Sequence, residues 1–542
     1  MSKKIKAIRL GIDFGTTRTV VAAVENGNYP VCTFSWEDEV KEYIPTLAAV
    51  DRGKLLFGWE AAKRLQDPEV RVLRSLKRLL GRVRPDELLE LAPGFSLPAV
   101  ELVTLFLAHV KEMILRHSPL NPPKGRPLEV LAAVPANAGS NQRFITLEAF
   151  RRAGFRVRGL MNEPSAAAVE FVHRYLKDLG PKSPKKYLVV YDLGGGTFDT
   201  SVVGFAGSLF DVITHQGINR LGGDDFDQII LELALEELGL SREELPPGIE
   251  PQLLEECRER KEGLKPNTQK MMVELALGRG GERSLILGTK EIYARCLPLN
   301  ERSLEMVLKV MDDLQRFGID SEDSQSFAAV YLVGGSVAFP PVSRRLRELF
   351  GRKVRISPYP QAATAIGLAV SADPQARISI REAVTRHFGL WREGEEGREK
   401  VFDPIFRKDS LVEAAVGRQE IVRDYRPVHN VGHLRYLECS ALGEAGEPQG
   451  DLFVWEEVYF PYDPRLEQEP DLAGIPLEKR PDLAGQEIRE IYSYDPRGII
   501  NVQFENCTTG YRRNFTFDSK PRTSVRRPVT PRPISILGGS PD

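Results

Sequence analysis

The sequence has 542 residues, too many for a single hydrophobic core, so two or more domains are expected. Its 42% hydrophobic and 28% charged residues are typical of a globular protein and exclude a largely disordered one. The net charge of −2, from 74 basic and 76 acidic residues, creates no overall field that would attract nucleic acid or an anionic membrane.

The start of the chain, MSKKIKAIRLGIDFG, leads directly into an apolar strand and a glycine turn, without the cleavage site of a signal peptide. No stretch approaches the roughly 18 consecutive apolar residues of a membrane span. The 5 cysteines are scattered and none has CxxC spacing, which excludes a disulfide framework and a zinc site. We therefore expect a cytoplasmic protein with no membrane or nucleic-acid partner.

Strand-like and helix-like segments alternate over residues 1–380. The β-branched runs are IKAIRLGID, LEVLAAVP, KKYLVVYDLG and FAAVYLVGG. Helical periodicity lies between them, as in AVELVTLFLAHVKEMILRH and FDQIILELALEELGL. Near-continuous apolar strands that alternate with helices predict sheets covered on both faces, and hence an α/β domain over residues 1–380.

The pattern changes from about residue 386. Helical periodicity fades, and short alternating runs such as LFVWEEVYF, IREIYSY and GIINVQFEN are separated by Pro, Gly and Asp. Two antiparallel strands joined at CTTGY are expected near the end of this region. The pattern predicts an all-β domain over residues 381–518. Residues 519–542 are rich in Pro and Arg and are predicted to be a disordered tail.

Glycine turns follow three of the predicted apolar strands, in GIDFGTTRT (11–19), DLGGGTFDT (192–200) and YLVGGSVAFP (331–340). Three successive glycines cost conformational entropy, so the middle turn needs either a close approach or positive φ. Backbone N–H groups at such turns form nests for anions, and two facing turns could clasp a polyphosphate. Because Asp13 and Asp199 would repel bare phosphate, a bridging Mg²⁺ is expected.

These three segments resemble the two phosphate segments and the adenosine segment of the actin-like ATPase superfamily. Four further motifs resemble, in the same order, those of the DnaK-type, seventy-kilodalton heat-shock chaperones. They are LKRLLGR (76–82), VPANAGSNQR (134–143), NEPSAAAVEF (162–171) and LGGDDFD (221–227). The resemblance spans about residues 7–370. It implies a two-lobed, actin-like ATPase domain that holds nucleotide at the bottom of its cleft.

The resemblance also implies catalytic residues. Lys77, in LKRLLGR, matches the lysine that helps to position the attacking water. Glu163, in NEPSAAA, matches a carboxylate near that water. Thr197 stands where the family holds the γ-phosphate, and Asp199 belongs to the same catalytic set. These roles fit the chemistry, because hydrolysis mainly needs an oriented water and neutralised phosphoryl charge.

Metal and nucleotide contacts are implied in the same way. Asp13, Asp192 and Asp199 are the expected metal residues, with Mg²⁺ between Asp13 and Asp199 and K⁺ near Asp192. Pro135 and Arg143 match the inter-lobe switch positions of the family. The expected nucleotide-binding residues are Gly15, Thr16, Thr17, Gly194, Gly195, Gly196, Thr197, Gly222, Gly223, Lys261, Gly334, Gly335 and Ser336.

The adenosine end departs from the family pattern. Ala338 stands where the family usually has an arginine against the adenine. Glu262 and Lys265 stand at the usual Arg and Ser positions of the other adenine-facing segment. Gln361 replaces a ribose-contacting aspartate. Weaker stacking on the base predicts looser ATP binding or altered nucleotide preference, with the phosphate chemistry retained.

The second domain resembles the family's substrate-binding β-sandwich at residues 402–414 and 495–517. Such a sandwich can hold an extended peptide by strand hydrogen bonds and side-chain pockets. The linker ARISIREAV (376–384) lacks the family's leucine-rich run, but Ile378 and Ile380 alternate and could add a strand to a sheet edge. Weaker coupling between the domains is therefore expected. The helical lid of the family is not expected here, so peptide release should be fast.

Two histidines and three aromatic residues in the second domain have competing interpretations. His429 and His433 are four residues apart, but no helix pattern or third ligand accompanies them, which favours structural histidines over a metal pair. Trp455, Tyr459 and Phe460 could line a peptide groove, although packing in a sandwich core is the favoured interpretation.

The sequence predicts an ATP-dependent chaperone that uses ATP, Mg²⁺ and K⁺. Its expected partners are unfolded or extended polypeptides, a co-chaperone and a nucleotide exchange factor. An actin-fold metabolite kinase is one alternative, but it needs a catalytic base for a substrate hydroxyl and has no use for the all-β domain. The other alternative is a scaffold or filament protein that uses ATP as an assembly switch, against which the β-sandwich also argues.

Overall fold

The computed structural model describes residues 7–517 with short gaps. The predicted tail lies outside the described residues, as do residues 411–414 and 496–498 of the two segments that resemble the family's sandwich. The gaps are residues 68, 81–82, 124, 137, 177–185, 208, 219, 247–248, 278–280, 317, 321–322, 324, 382–383, 385, 395–398, 409, 411–418 and 496–498.

The first lobe is built around a mixed five-stranded sheet. Its strands and those of the small sheets beside it are β1 Ile8–Phe14, β2 Arg18–Ala23, β3 Phe34–Trp36, β4 Glu39–Lys41, β5 Ile44–Pro45, β6 Ala48–Asp51, β7 Lys54–Phe57, β8 Val72–Leu73, β9 Leu88–Ala92, β10 Phe95–Pro98, β11 Leu128–Val134 and β12 Arg156–Asn162. Its helices are α1 Gly58–Ala62, α2 Leu76–Leu80, α3 Ala99–His117, α4 Ser140–Arg152 and α5 Glu163–Tyr175. The order of the sheet is β12-β11-β1-β2-β5, and Leu10, Ile12 and Phe14 of β1 are fully buried in it.

The second lobe is built around a six-stranded sheet. The six strands of this sheet are β13 Lys186–Leu193, β14 Phe198–Ala206, β15 Leu209–Ile218, β18 Phe327–Val333, β19 Val354–Ile356 and β20 Ser379–Arg381. A separate two-stranded sheet consists of β16 Lys270–Ala276 and β17 Glu282–Gly288. The helices that follow in the chain are α6 Gly223–Leu238, α7 Glu250–Glu262, α8 Thr289–Arg316, α9 Pro340–Phe350 and α10 Ala363–Ala372. The sheet order is β19-β18-β13-β14-β15-β20, which confirms the predicted α/β alternation.

Helices α5 and α10 join the lobes at the base of the cleft. A β-carbon on Gly367 of α10 would lie 1.8 Å from the carbonyl oxygen of Ala166 in α5, so the two backbones touch. Gly11 of β1 also lies against the backbone of α10, because a β-carbon on it would lie 2.3 Å from the carbonyl oxygen of Ala365. Glycine is required at both contacts. Among the described residues, none of the helices combines the length and apolar character needed to cross a bilayer.

The linker forms the last strand of the second-lobe sheet. Strand β20 pairs in parallel with β15, with Leu209 opposite Ser379 and Phe210 opposite Ile380. Ile378 and Ile380 are half-buried and pack against the apolar residues of the ATPase domain. The alternation of these two isoleucines in the sequence therefore predicted the added strand correctly.

The C-terminal region is all-β, as predicted. Its strands are β21 His387–Gly394, β22 Glu399–Phe406, β23 Gln419–Tyr425, β24 Val431–Leu442, β25 Pro448–Pro461, β26 Ile488–Tyr494, β27 Ile500–Asn506 and β28 Tyr511–Thr516. They form two four-stranded sheets, β22-β21-β24-β25 and β23-β26-β27-β28. Strands β27 and β28 are the predicted antiparallel pair. Trp455 and Phe460 belong to the core between the sheets, which confirms core packing for these two aromatics.

Each of the two histidines that were predicted to be structural lies next to a glutamate side chain. His433 lies 2.8 Å from a Glu457 oxygen and stacks on the ring of Tyr459 at 4.6 Å. His429 Nδ1 is 4.0 Å from a carboxylate oxygen of Glu393. Across the described residues, no group of three or more His, Cys, Asp and Glu side chains is arranged to hold a metal by itself. For Tyr459 the predicted core packing is wrong, because this residue is half-buried and its hydroxyl bonds to His433 and Glu457.

Charged side chains also join the two sheets of the sandwich. Arg392 of β21 donates to Glu490 of β26 at 2.6 Å and to Asp403 at 2.7 Å. Glu490 is fully buried, and it also accepts hydrogen bonds from Tyr425 and Tyr492, both at 2.6 Å. A buried carboxylate with this many donors is satisfied, so the network can replace apolar packing at this place.

The sandwich contacts the ATPase domain at several points. A β-carbon on Gly139, which precedes α4, would lie 2.8 Å from a carboxylate oxygen of Glu438 in β24. Lys408 donates to the carbonyl oxygen of His215 in β15 at 3.3 Å. Ile499 is buried within the hydrophobic cluster of the first lobe. Both lobes are thus in contact with the second domain.

Candidate active site

A cavity of about 200 Å³ lies between the lobes, where the three glycine turns meet. Three of the predicted residues, Gly196, Asp199 and Gly222, lie outside its lining. The predicted residues that line it are Asp13, Gly15, Thr16, Thr17, Lys77, Glu163, Asp192, Gly194, Gly195, Thr197, Gly223, Lys261, Gly334, Gly335 and Ser336.

Two β-hairpins present their tips to this cavity. The first turn joins β1 to β2, and the N–H of Gly15 donates to the carbonyl oxygen of Arg18 at 3.1 Å. The second joins β13 to β14, and the N–H of Gly194 donates to the carbonyl oxygen of Thr197 at 3.0 Å. These short closures turn each strand sharply, so that the remaining N–H groups of the tips can face a ligand.

Two of the three glycines of the second turn, Gly195 and Gly196, are required by close contacts. None of residues 194–196 has positive φ, which excludes turn conformation as the reason for them. A β-carbon on Gly195 would lie 2.5 Å from Thr17 Cγ2, so the two hairpin tips touch. A β-carbon on Gly222 would lie 2.6 Å from the carbonyl carbon of Gly195. Of the two explanations considered from the sequence, close approach is the correct one.

The loop before α6 and the third turn close around the second hairpin. The N–H of Gly223 donates to the carbonyl oxygen of Gly194 at 3.0 Å, and the Ser336 hydroxyl donates to the same oxygen at 2.8 Å. Lys261 of α7 donates to the carbonyl oxygen of Gly223 at 2.6 Å and pairs with Asp227 at 2.7 Å. The third turn and α7 are therefore held to the hairpin from the second lobe.

Lys77 lies among four predicted carboxylates, of which Asp13, Glu163 and Asp192 line the cavity and Asp199 lies outside its lining. Lys77 is buried, its ammonium group donates to Glu163, and it lies 3.8 Å from an oxygen of Asp13. Burial alone would lower the pKa of Lys77, but the carboxylates of Glu163 and Asp13 outweigh it and hold that pKa above its usual value. Asp192 and Asp199 occupy opposite positions on β13 and β14. The group therefore has an excess of negative charge.

This excess of carboxylates fits a cation. Burial raises the pKa of Asp13 to about 7 and that of Asp199 to about 8. Burial and the neighbouring carboxylates raise the pKa of Asp192 as well. One oxygen of Asp13 and one of Asp199 are buried without a hydrogen-bond partner among the described residues. Mg²⁺ keeps several waters and takes one or two carboxylates, so these residues fit it although they form no three-ligand cluster.

The position of Glu163 depends on the segment before it. Glu163 is the first residue of α5, and Asn162 precedes the helix. The guanidinium of Arg143 is buried and donates to the side-chain oxygen of Asn162. Arg143 thus supports the start of α5 within the first lobe. The sequence singled out Arg143 only by its resemblance to the family. The structure shows that its contact with Asn162 connects it to Glu163, which lines the cavity.

Several basic residues at the site had no assigned role in the sequence analysis. Arg78 follows Lys77 in α2, donates to the carbonyl oxygen of Gly196 and lies 3.2 Å from Asp225. Arg258 of α7 and Arg18 of β2 line the cavity. Each of these residues lies in or next to a sequence motif of the site, which was the only hint of a role in the sequence. Their contacts depend on how the two lobes are placed across the cleft, which the sequence does not show.

The altered adenosine end lies on the same cavity. Ala338, Gln361 and Glu262 line it, whereas Lys265 does not. The N–H of Lys265 donates to the Thr268 hydroxyl at 3.0 Å, within a turn after α7. The structure thus brings three of the four departing residues to the cavity.

Comparison with known proteins gives a consistent result. A family model described as Hsp70 protein matches residues 125–379. The chain is 31% identical over 525 residues to a chaperone protein HscA homolog of Azotobacter vinelandii, which covers 93% of this chain and 77% of that protein. It is 31% identical over 374 residues to the chaperone protein DnaK of Mycoplasmopsis pulmonis, covering 67% of this chain and 58% of that protein.

A chaperone protein HscA homolog of Pseudomonas aeruginosa is 33% identical over 385 residues, covering 68% of this chain and 58% of that protein. The matched part of the chain thus spans between 58% and 77% of the length of these three relatives. The first relative is matched over nearly the whole chain, so the similarity includes both domains. Together with the two-lobed fold and the glycine turns, these matches show that the chain belongs to the Hsp70 family.

Proposed function

We propose that this protein is an ATP-dependent chaperone, which hydrolyses Mg-ATP in the two-lobed domain and couples hydrolysis to the binding of extended polypeptide by the β-sandwich. The observation that carries the proposal is the buried Lys77–Glu163 pair between two facing glycine turns. Beside it, one oxygen of Asp13 and one of Asp199 accept no hydrogen bond from the described residues. The matched relatives are chaperones by name.

In this proposal the residues of the cavity bind and orient the phosphates. The N–H groups of the two hairpin tips donate hydrogen bonds to phosphate oxygens, and Thr197 lies beside the terminal phosphate. Lys77 stays protonated because Glu163 and Asp13 hold its pKa high, so its charge stabilises the charge that develops during phosphoryl transfer. Glu163 fixes the direction of the lysine and of the attacking water. Asp13 and Asp199 would hold Mg²⁺, which would neutralise phosphate charge, and Asp192 would lie beside K⁺.

The kinase alternative needs a carboxylate that is free to take a proton from a substrate hydroxyl. Glu163 is engaged by Lys77, which favours a positioning role over that of a general base. The scaffold alternative would make the second domain an assembly surface. We favour the chaperone over both, because the similarity to chaperones extends across the sandwich.

The contacts between the domains support coupling. Gly139 at the start of α4 touches Glu438 of the sandwich, and Arg143 of the same helix holds Asn162 beside Glu163. The linker strand β20 is paired with the second lobe. A change in the cavity that moves α4 or the lobe sheet would therefore alter the docking of the sandwich.

The proposed partners follow from this cycle. The sandwich would bind extended, apolar polypeptide segments by backbone hydrogen bonds and side-chain pockets. A co-chaperone that stimulates hydrolysis and a nucleotide exchange factor are proposed as further partners, and the cytoplasm is the proposed compartment.

The function is tested by steady-state ATP hydrolysis with and without Mg²⁺ and with a panel of extended apolar peptides. We expect hydrolysis that requires Mg²⁺ and is altered by peptide. Asp199→Ala should weaken Mg²⁺-dependent ATP binding and hydrolysis together, because it removes a buried carboxylate oxygen that accepts no hydrogen bond from the described residues. Asp38→Ala, at an exposed turn between β3 and β4 of the first lobe, is the matched control. Nucleotide binding that is indifferent to Mg²⁺ would contradict the metal assignment, and absence of hydrolysis would contradict the function.

A further inference from the structure

The last strand of one sandwich sheet has an open side. In the sheet order β22-β21-β24-β25, strand β25 is terminal, and it pairs with β24 alone within the part of the chain that the structure describes. It spans Pro448–Pro461, which is long for an edge strand. Leu452 and Val454 in its first half are 57% and 71% exposed. A long edge with exposed apolar side chains readily pairs with another strand, so proteins usually cover or block such an edge.

The exposed side chains of β25 continue an apolar surface on the outer face of the sheet. Val454 is opposite Leu437 of β24, and Leu452 is opposite Cys439. Leu437 and Cys439 belong to a small buried cluster that is separate from the core between the two sheets. An added strand would therefore extend existing apolar packing. Residues 449–456 are called the β25 edge below.

The chain leaves the described residues next to this edge. Phe517 is the last residue of the described part, and its ring centroid lies 5.4 Å from that of Trp455 in β25. The indole nitrogen of Trp455 is buried and has no hydrogen-bond partner among the described residues. A buried donor without an acceptor is costly, so a segment close to Phe517 is expected to supply one.

One part of residues 518–542 has the pattern of a short strand. The segment PISIL, at 533–537, alternates so that Ile534 and Ile536 share one side when it is extended. Residues 518–532 separate this segment from Phe517 and can extend to about 50 Å. The β25 edge is about 25 Å long, so the segment can reach any part of it.

Charge and tethering favour this segment over a separate polypeptide. Residues 518–542 contain five basic and two acidic residues, whereas residues 443–457 contain five acidic residues and no Lys or Arg. Opposite charges steer the two segments together. A tether of this kind gives an effective concentration of about millimolar. A contact that is too weak between separate molecules can therefore form within one chain.

We propose that residues 533–537 pair with the β25 edge as a fifth strand of that sheet, with Ile534 and Ile536 packed beside Leu452 and Val454. The backbone groups of β25 that face away from β24 then gain hydrogen-bond partners, and the two exposed side chains leave water. The covered edge no longer pairs with a second copy of the chain or with another extended polypeptide. This pairing does not depend on the proposed ATPase function.

The experiment is amide hydrogen exchange of the full chain, measured by mass spectrometry on peptides that cover residues 449–456. Ile534→Asp combined with Ile536→Asp should speed exchange there by about 5- to 10-fold, because the outward N–H groups lose their acceptors. Val525→Asp combined with Val529→Asp is the matched control, because it adds the same charge outside the pairing segment. All four positions follow the described residues, so the sandwich itself is unaltered.

Protein concentration and added peptide distinguish the possible occupants of the β25 edge. Slow exchange that is independent of protein concentration is expected, because the pairing lies within one chain. Protection that grows with concentration would assign the edge to a second copy and overturn the pairing with the tail. A free peptide of residues 530–540 should slow exchange in the isoleucine variant again. Slowing by an unrelated apolar peptide alone would assign the edge to a separate polypeptide. Equal exchange in the wild type and the isoleucine variant would also overturn the proposal.

Discussion

Lys77 is the residue on which the proposed hydrolysis depends most directly. It is buried, donates to Glu163 and lies 3.8 Å from Asp13, so it is the cation closest to the crowded carboxylates. Its pKa is held above the usual value by those carboxylates, against the effect of burial. The lysine therefore carries a fixed positive charge at neutral pH, which suits it to orient water and phosphate rather than to transfer a proton.

Lys77→Ala should reduce single-turnover ATP hydrolysis by about 100-fold or more, the usual loss when one positioned donor to a developing charge is removed. ATP should still bind, because the hairpin tips that receive the phosphates are unchanged. The measurement is hydrolysis in one turnover together with equilibrium binding of ATP. Lys63→Ala, at an exposed lysine of the first lobe, is the control. Turnover within a few-fold of the wild type would refute the role of Lys77.

Ala338→Arg should strengthen ATP binding by up to about 2 kcal/mol, if the new guanidinium stacks over the base. Ala338 lines the cavity beside the third glycine turn, so a longer side chain there can reach the adenosine end. Isothermal titration with ATP and with GTP measures both the gain in affinity and the discrimination between purines. Unchanged affinity in a folded variant would mean that the adenine is held in another way.

The residues of the turns could be predicted from sequence, whereas those that join the lobes could not. Asp13 and Asp192 belong to short local patterns after apolar strands, which the sequence displays directly. Arg18 and Glu262 are 244 positions apart, and nothing in either segment indicates that they meet. Their contact joins the two lobes across the cleft, so its prediction requires the tertiary structure.

At the scale of elements, the linker strand connects the ATPase domain to the sandwich. Strand β20 adds only Ser379–Arg381 to the edge of the second-lobe sheet. A short edge strand has few hydrogen bonds and little buried apolar area, so its docking can respond to small changes in the lobe. Ile380 of this strand and Ile378 just before it are half-buried and pack against the apolar residues of the ATPase domain.

Replacement of Ile378 and Ile380 with Asp should release the linker from the sheet, because two charges cannot be buried there without partners. In the wild type, a protease should cut within residues 376–386 faster with ADP than with ATP. The double variant should be cut equally fast with both nucleotides and should lose any stimulation of hydrolysis by peptide. Ile286→Asp, at a 63% exposed position of β17, is the control. Equal cleavage of the wild type in both states would contradict nucleotide-dependent docking.

The sequence predicted most elements of the sandwich but not the polar network inside it. Strand β26 alternates as expected, with Ile488, Tyr492 and Tyr494 facing the core. Glu490 shares that face, which alternation alone would assign to an apolar residue. The buried carboxylate is tolerated because Arg392 of the other sheet donates a hydrogen bond to it. The two residues are 98 positions apart, so neither strand's sequence predicts that they pair.

At the scale of the whole molecule, the two domains are in contact and are not independent units. Ile499 of the sandwich is buried in the first lobe, and Lys408 reaches the β15 strand of the second. We therefore expect a nucleotide that moves one lobe relative to the other to change how the sandwich docks on them. By linkage, peptide must affect nucleotide affinity to the same degree as nucleotide affects peptide affinity.

The most direct test of this coupling is the release of a fluorescently labelled, extended apolar peptide from the full chain, measured with Mg-ATP and with Mg-ADP. A coupling at the low end of the usual range predicts release rates that differ by about fivefold between the two nucleotides. The Ile378→Asp, Ile380→Asp variant should show a single rate. Identical rates in the wild-type protein would contradict the account and leave an ATPase joined to a passive binding domain.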